Sequence, residues 1–194
     1  MKNSIKWILI VLLLAGIIAG ASVLYNKFST EYDGDSLAPV TETIIETEKE
    51  EAAEEAFTAP DFTVLDYDGN EVRLSDFGGK PVVVNFWATW CYYCKKEMPD
   101  FNKAHELYPD IQFMMVNATD GIQETTETAK KYIEDEGFEF DVFFDTELEA
   151  VKNYYVTGFP STFFIDANGN LVTYANGMID YESLEKGISM IAEQ

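Results

Sequence analysis

Only two cysteines occur in this chain, and they stand together in the stretch Val82–Glu97, VVVNFWATWCYYCKKE. The run Val82-Val83-Val84-Asn85-Phe86 is short, β-branched and aromatic, which predicts a buried strand. It passes through Trp87-Ala88-Thr89-Trp90 into Cys91-Tyr92-Tyr93-Cys94. Beyond that the pattern becomes polar and helical, with Lys95, Lys96 and Glu97 ahead of Met98 and Phe101. A C-x-x-C at a strand-to-helix junction is the sequence form of a dithiol/disulfide redox site.

The first turn of a helix has unsatisfied N–H groups and the positive end of the dipole. A thiolate there is stabilised, so Cys91 is expected to ionise below the ~8.5 of a free cysteine, within ~3.5–7.5. Cys94, one turn on, is expected underneath, shielded from solvent. Cys91 is therefore the candidate nucleophile, and Cys94 the thiol that closes the internal disulfide. Structural zinc needs four ligands, and two cysteines with the single distant His105 do not supply them, so no metal is expected. A c-type haem attachment needs His after the second cysteine, where Lys95 stands. A purely structural disulfide would close so small a loop that it restricts the unfolded chain little.

The formal charge of −22 and the single arginine, Arg73, argue against nucleic acid as a partner. Residues 1–27 read as a membrane anchor. From Trp7 to Leu24 about 18 residues run without a charge, with Lys2 and Lys6 before them and Glu31, Asp33 and Asp35 after. The positive-inside rule then puts the N-terminus in the cytoplasm and the rest outside. A cleavable signal peptide competes, because Ala19-Gly20-Ala21 fits a small-x-small cleavage site. Both readings put the dithiol where disulfides persist. Residues 28–58 are rich in glutamate and lack apolar periodicity, so a flexible acidic linker is expected. The folded domain then covers 59–194.

Within that domain, Asp61–Leu65 and Glu71–Leu74 flank the turn Asp66-Tyr67-Asp68-Gly69-Asn70 as a hairpin. The turn has no bidentate Glu to close a calcium loop. The helix beginning near Cys91 is expected to reach Leu107, kinked at Pro99. Its spacing puts Glu97 on the face of Cys94, where a carboxylate can raise a thiol's pKa or relay its proton; an ordinary surface glutamate is the competing reading. His105 reads as a solvated or capping side chain. Ile111–Asn117 is a buried strand, parallel to the first because a helix separates them. A helix over Ile122–Glu136, a strand over Asp141–Asp145 and a helix over Glu147–Tyr154 follow. Pro160 stands directly before the strong strand of Ser161–Asp166, where an X-Pro bond can be cis. Asn168-Gly169 turns the chain back through Leu171–Ala175, and Tyr181–Ala192 closes it as a helix.

This order, with Gly79-Lys80-Pro81, Trp87-Ala88-Thr89-Trp90-Cys91, Cys94-Lys95-Lys96-Glu97-Met98-Pro99 and Gly158-Phe159-Pro160-Ser161-Thr162, resembles the TlpA/ResA-like thiol-disulfide oxidoreductases from about Ala59 to Gln194. The resemblance implies an α/β thioredoxin fold, a central mixed sheet flanked by helices, with an N-terminal hairpin and a central helical insertion at Ile122–Glu136. It implies that Pro160 is the cis-proline beside the dithiol and that the Phe159 backbone pairs with a substrate strand. Glu97 matches an active-site glutamate of ResA-like members. Asn85 occupies the position of the buried aspartate of plain thioredoxins, so a proton relay passes to Glu97. Tyr92-Tyr93 departs from the pattern, since relatives usually carry proline in the second place.

The expectation is an extracytoplasmic, membrane-tethered reductase of disulfides in exported proteins, without a cofactor. Cys91, Cys94 and Glu97 carry the chemistry, and Trp90, Tyr92, Tyr93, Phe159 and Pro160 form the substrate surface. The resemblance implies a transmembrane thiol carrier as electron donor, with partners such as apocytochrome c or a repair enzyme. A disulfide-donating oxidase is the alternative. A thiol peroxidase would use Thr-x-x-Cys instead, and a non-enzymatic module has no use for both cysteines.

Overall fold

The computed structural model describes residues 57–192 together with the strand pair Ala38–Pro39. The expected anchor over 1–27, and most of the linker over 28–58, lie outside the described residues. Among the described residues no helix is long and apolar enough to cross a membrane.

Among the described residues, eight strands make one mixed sheet. They are β1 (Ala38–Pro39), β2 (Thr63–Leu65), β3 (Glu71–Arg73), β4 (Val82–Trp87), β5 (Gln112–Asn117), β6 (Val142–Phe144), β7 (Ser161–Ile165) and β8 (Leu171–Asn176), in the order β1-β8-β7-β4-β5-β6-β2-β3. The α-helices among the described residues are α1 (Tyr92–Leu107), α2 (Thr126–Glu136), α3 (Glu149–Asn153) and α4 (Tyr181–Ala192). β4 lies in the middle and every one of its residues is buried. It pairs parallel with β5, from Val82↔Gln112 to Trp87↔Asn117, and antiparallel with β7, from Val82↔Ile165 to Phe86↔Ser161. This is the mixed sheet flanked by helices that the thioredoxin fold requires.

Alternation along β4 divides the core. Val83 and Trp87 join Phe113, Met115, Met98, Phe101, Leu184 and Ile188 beneath α1 and α4. Val82, Val84 and Phe86 face the other way, towards Phe62, Val64, Leu74, Ala150, Tyr154 and Phe163. Asn85 shares the parity of Val83 and Trp87, so the one polar residue of β4 points towards α1. The pairing of β2 with β3, Thr63↔Arg73 through Leu65↔Glu71, extends the sheet beyond β6. On the opposite edge, contacts begin before Ala59: Thr58 bridges Asn170, and Ala38 and Pro39 face Tyr174 and Thr173.

Two helix boundaries differ from expectation. α2 starts at Thr126 rather than Ile122. Asp120 Oδ1 accepts the N–H groups of Ile122, Gln123 and Glu124 at 2.7–2.9 Å, which ties these residues into a loop instead of a helical turn. Thr125 then caps the helix by accepting the Thr128 N–H at 3.2 Å. Its far end is as expected, with Gly137 in the left-handed region at φ 71°. α3 covers only Glu149–Asn153 because Leu148, at φ 53°, interrupts the helical backbone ahead of it. Pro99 sits inside α1 without ending it. His105, near the end of α1, is half-buried with its ring edge against Phe113 and plays no part in the dithiol region.

Candidate active site

The junction of β4 and α1 places the dithiol. Cys91 is the N-cap of α1, one position before its first turn, and its Sγ accepts the Cys94 N–H at 3.1 Å. The two cysteines are joined as a disulfide. Cys94 is completely buried, whereas Cys91 retains 6% exposure. The less buried cysteine is thus the one held at the helix N-terminus, where a negative charge is stabilised. Lys95 and Lys96 are exposed, and their ammonium groups lie 5.5 Å from the ring centres of Tyr132 and Tyr92.

Around Cys91 the surface is apolar. Trp90 is half exposed and meets the half-buried Phe159 edge-on, with ring centres 5.7 Å apart. The Phe159–Pro160 bond is cis, and Pro160 is buried with its carbonyl accepting the Gly177 N–H at 2.8 Å. Tyr92 and Tyr93 are exposed and pack against each other at 5.4 Å. Three further exposed apolar side chains, which the sequence does not mark as a group, lie on loops at the same end of the sheet. Ile122 follows β5, Tyr155 precedes β7 and Met178 follows β8, and all three are exposed. The strand directions bring these loops to the end of the sheet from which Trp90 emerges. Their only signal in the sequence is an apolar side chain among turn residues.

Glu97 lies one turn beyond Cys94 on α1, and with 1% exposure it is no surface glutamate. Its Oε1 accepts the Asn85 amide N–H at 2.8 Å, and its Oε2 accepts the Ile179 backbone N–H at 3.0 Å. The same Asn85 nitrogen also donates to Thr162 Oγ1 at 3.0 Å. Burial pushes the Glu97 carboxyl up to about 8, helped by nearby Asp100 and opposed by the Ile179 and Asn85 hydrogen bonds. At neutral pH it is mostly a neutral acid close to its midpoint, the range in which proton transfer in either direction is efficient. Asn85 is therefore a direct hydrogen-bond partner of Glu97 and not merely the replacement of an aspartate. The Ile179 contact, from the loop between β8 and α4, had no sequence signal.

The structure thus brings Cys91, Cys94, Glu97, Trp90, Tyr92, Tyr93, Phe159 and Pro160 to one end of the sheet. A disulfide at a helix N-cap, a fully buried second cysteine and a nearby carboxyl titrating close to neutrality can together perform thiol-disulfide exchange.

Comparison with known proteins agrees with this chemistry. The model of the AhpC/TSA family matches residues 57–174. The chain is 35% identical to the thiol-disulfide oxidoreductase ResA of Geobacillus kaustophilus (strain HTA426) over 136 residues, covering 69% of this chain and 76% of that protein. With the ResA of Bacillus subtilis (strain 168) the identity is 29% over 143 residues, 73% of this chain and 78% of that one. Among solved structures, a thiol:disulfide interchange protein of the thioredoxin family from Chlorobium tepidum TLS superposes with a TM-score of 0.63 at 26% identity. That superposition covers 72% of this chain and 99% of the other. The chain belongs to the AhpC/TSA family and, within it, to the ResA-like thiol-disulfide oxidoreductases.

Proposed function

We propose that this oxidoreductase works outside the cytoplasm, tethered by its N-terminal apolar segment, and reduces disulfides in exported proteins. The observation that carries the reading is the Cys91–Cys94 disulfide at the helix N-terminus, with Cys94 fully buried, Cys91 retaining a trace of exposure and the exposed Trp90, Tyr92 and Tyr93 beside it in the chain. In the reduced enzyme the Cys91 thiolate attacks one sulfur of the partner disulfide, and the other partner sulfur leaves as a thiolate that takes up a proton. Cys94 then loses its proton, with the ionised fraction of Glu97 as the accepting group, and attacks Cys91 Sγ. The second partner thiol is released and the internal disulfide closes. Two electrons pass to the partner, and a transmembrane thiol carrier returns them by the reverse exchange. Trp90, Tyr92, Tyr93 and Phe159 receive the partner, whose extended backbone lies along Phe159-Pro160. Apocytochrome c whose haem-binding cysteines are oxidised to a disulfide, and exported repair enzymes, are the partner classes this scheme serves. The location rests on the charge-free run Trp7–Leu24 and the lysines ahead of it.

Insulin reduction by the full-length chain, with single-cysteine variants as traps, tests the scheme. Cys94→Ser should accumulate a mixed disulfide with insulin through Cys91. Capture by Cys91→Ser instead would reverse the roles, and absence of any insulin reduction by the wild type would overturn the reductase reading.

A further inference from the structure

The loop between β5 and α2 sends a second buried carboxylate towards the dithiol turn. Glu124 is 0% exposed, and among the described residues no cation pairs with it. Its oxygens instead take four hydrogen bonds. The Thr89 N–H is shared between Oε1 and Oε2 at 3.1 Å each, the Thr89 hydroxyl donates to Oε2 at 2.7 Å, and Asn117 Nδ2 donates to Oε1 at 2.8 Å. A carboxylate buried without a cation is costly unless such donors replace its water.

The surroundings are built to aim this group. Asp120 gathers the N–H groups of Ile122, Gln123 and Glu124, and the Gly121 N–H donates to the Glu124 carbonyl at 2.9 Å. Gly121 has φ 73°, a left-handed conformation that favours glycine. Thr119 Oγ1 donates to Asn117 Oδ1 at 2.7 Å, which orients the Asn117 amide so that its nitrogen faces Glu124. Three of the four contacts on Glu124 end on Thr89, two residues before Cys91.

We infer that Glu124 is a positioning residue for the nucleophile, acting through Thr89. It clamps the Ala88–Trp90 turn so that the Cys91 N–H reaches the Ala88 carbonyl at 3.1 Å and Cys91 Sγ meets the N-terminal N–H of Cys94. Without the clamp the turn relaxes, the sulfur leaves the helix N-cap, and its thiolate loses stabilisation. The inference rests on the dithiol reading above and gives that reading's Cys91 a specific support.

The test is the pH profile of Cys91 alkylation by iodoacetamide in the reduced full-length chain, measured beside the thermal midpoint of each variant. Glu124→Ala should move the profile to higher pH and slow alkylation at pH 7 by about tenfold, the effect of one pKa unit. Glu124→Gln keeps an acceptor for the Thr89 N–H and should restore most of the rate. A role through charge alone predicts the opposite pattern, with both variants moving the profile to lower pH, and that result overturns the inference. So does a lower thermal midpoint with an unmoved profile, which marks Glu124 as structural only. Should Glu124→Ala fail to fold, Thr89→Ala removes the 2.7 Å contact alone and should shift the profile in the same direction by less; no shift there overturns the inference. A wild-type chain with no reactive thiol below about pH 9 would overturn the dithiol reading, and this inference with it. A normal wild-type profile confines any failure to Glu124.

Discussion

Asn85 of β4 donates a 2.8 Å hydrogen bond to Glu97 of α1, and both side chains are buried beneath the dithiol helix. The bond joins the central strand to the helix that carries both cysteines. It also explains how a carboxyl is tolerated in the core: Asn85 and Ile179 satisfy its oxygens, while burial keeps it mostly protonated.

Replacing Glu97 by Gln keeps the shape and one of the two accepted hydrogen bonds but removes the titrating proton. The pH dependence of thiol reactivity at Cys91 and Cys94 should then shift, because the group with a midpoint of about 8 no longer titrates beside them. Titration of both thiols by pH-dependent alkylation checks this. Superimposable curves for wild type and variant would remove Glu97 from the proton pathway.

Stability should also report on Glu97. Its carboxyl titrates at about 8 when folded, against an ordinary 4.5. Between these values the folded chain holds a proton that the unfolded chain has released, so stability falls as pH rises from about 4.5 to 8. Buried Asp145, whose carboxyl is also pushed up, acts in the same sense, so the comparison must be with a Glu97 variant. The thermal midpoint of oxidised Glu97→Gln should decline less than that of wild type across this range. Parallel declines would mean that Glu97 is ionised in the folded protein throughout.

The apolar rim should matter to partners and not to small thiols. Trp90→Ala removes an exposed ring that touches Phe159 but neither sulfur's hydrogen bond. Reduction of a protein disulfide should fall about tenfold in kcat/KM, the scale of an interface aromatic. Exchange with dithiothreitol should stay near the wild-type rate. Equal losses in both assays would show that Trp90 acts on the dithiol itself.

A core prediction tests the packing of α4 on the sheet. Gly187 lies against the ring of Phe164, and a Cβ there would overlap ring carbons. Gly187→Ala should therefore destabilise the domain by about 1–3 kcal/mol, outweighing the better helix propensity of alanine. Thermal unfolding measures it, and an unchanged or raised midpoint would contradict the packing.

What was legible in the sequence is what depends on neighbouring residues. The run Val82–Phe86 followed by Cys91 and Cys94 announced strand, dithiol and helix together. The turns Asp66–Asn70 and Asp166–Asn170 were legible for the same reason: in each the first aspartate accepts two backbone N–H groups and the side-chain amide of the last asparagine. Helical spacing put Glu97 on the Cys94 face, but could not show its burial, which depends on Asn85 and on Ile179 in the loop before α4. Glu124 was hidden within an expected helix because three hydrogen bonds to Asp120 outweigh the helical pattern there. Ile122, Tyr155 and Met178 come to the dithiol end of the sheet only through strand order, which local pattern does not encode.

The Cys91–Cys94 pair is proposed to donate electrons to its partners. The most direct measurement is the reduction potential of this couple in the full-length chain, equilibrated against glutathione and dithiothreitol buffers. A value near thioredoxin's, about −270 mV, is predicted for a reductase. A value near about −120 mV would instead mark a disulfide donor and contradict the proposed direction.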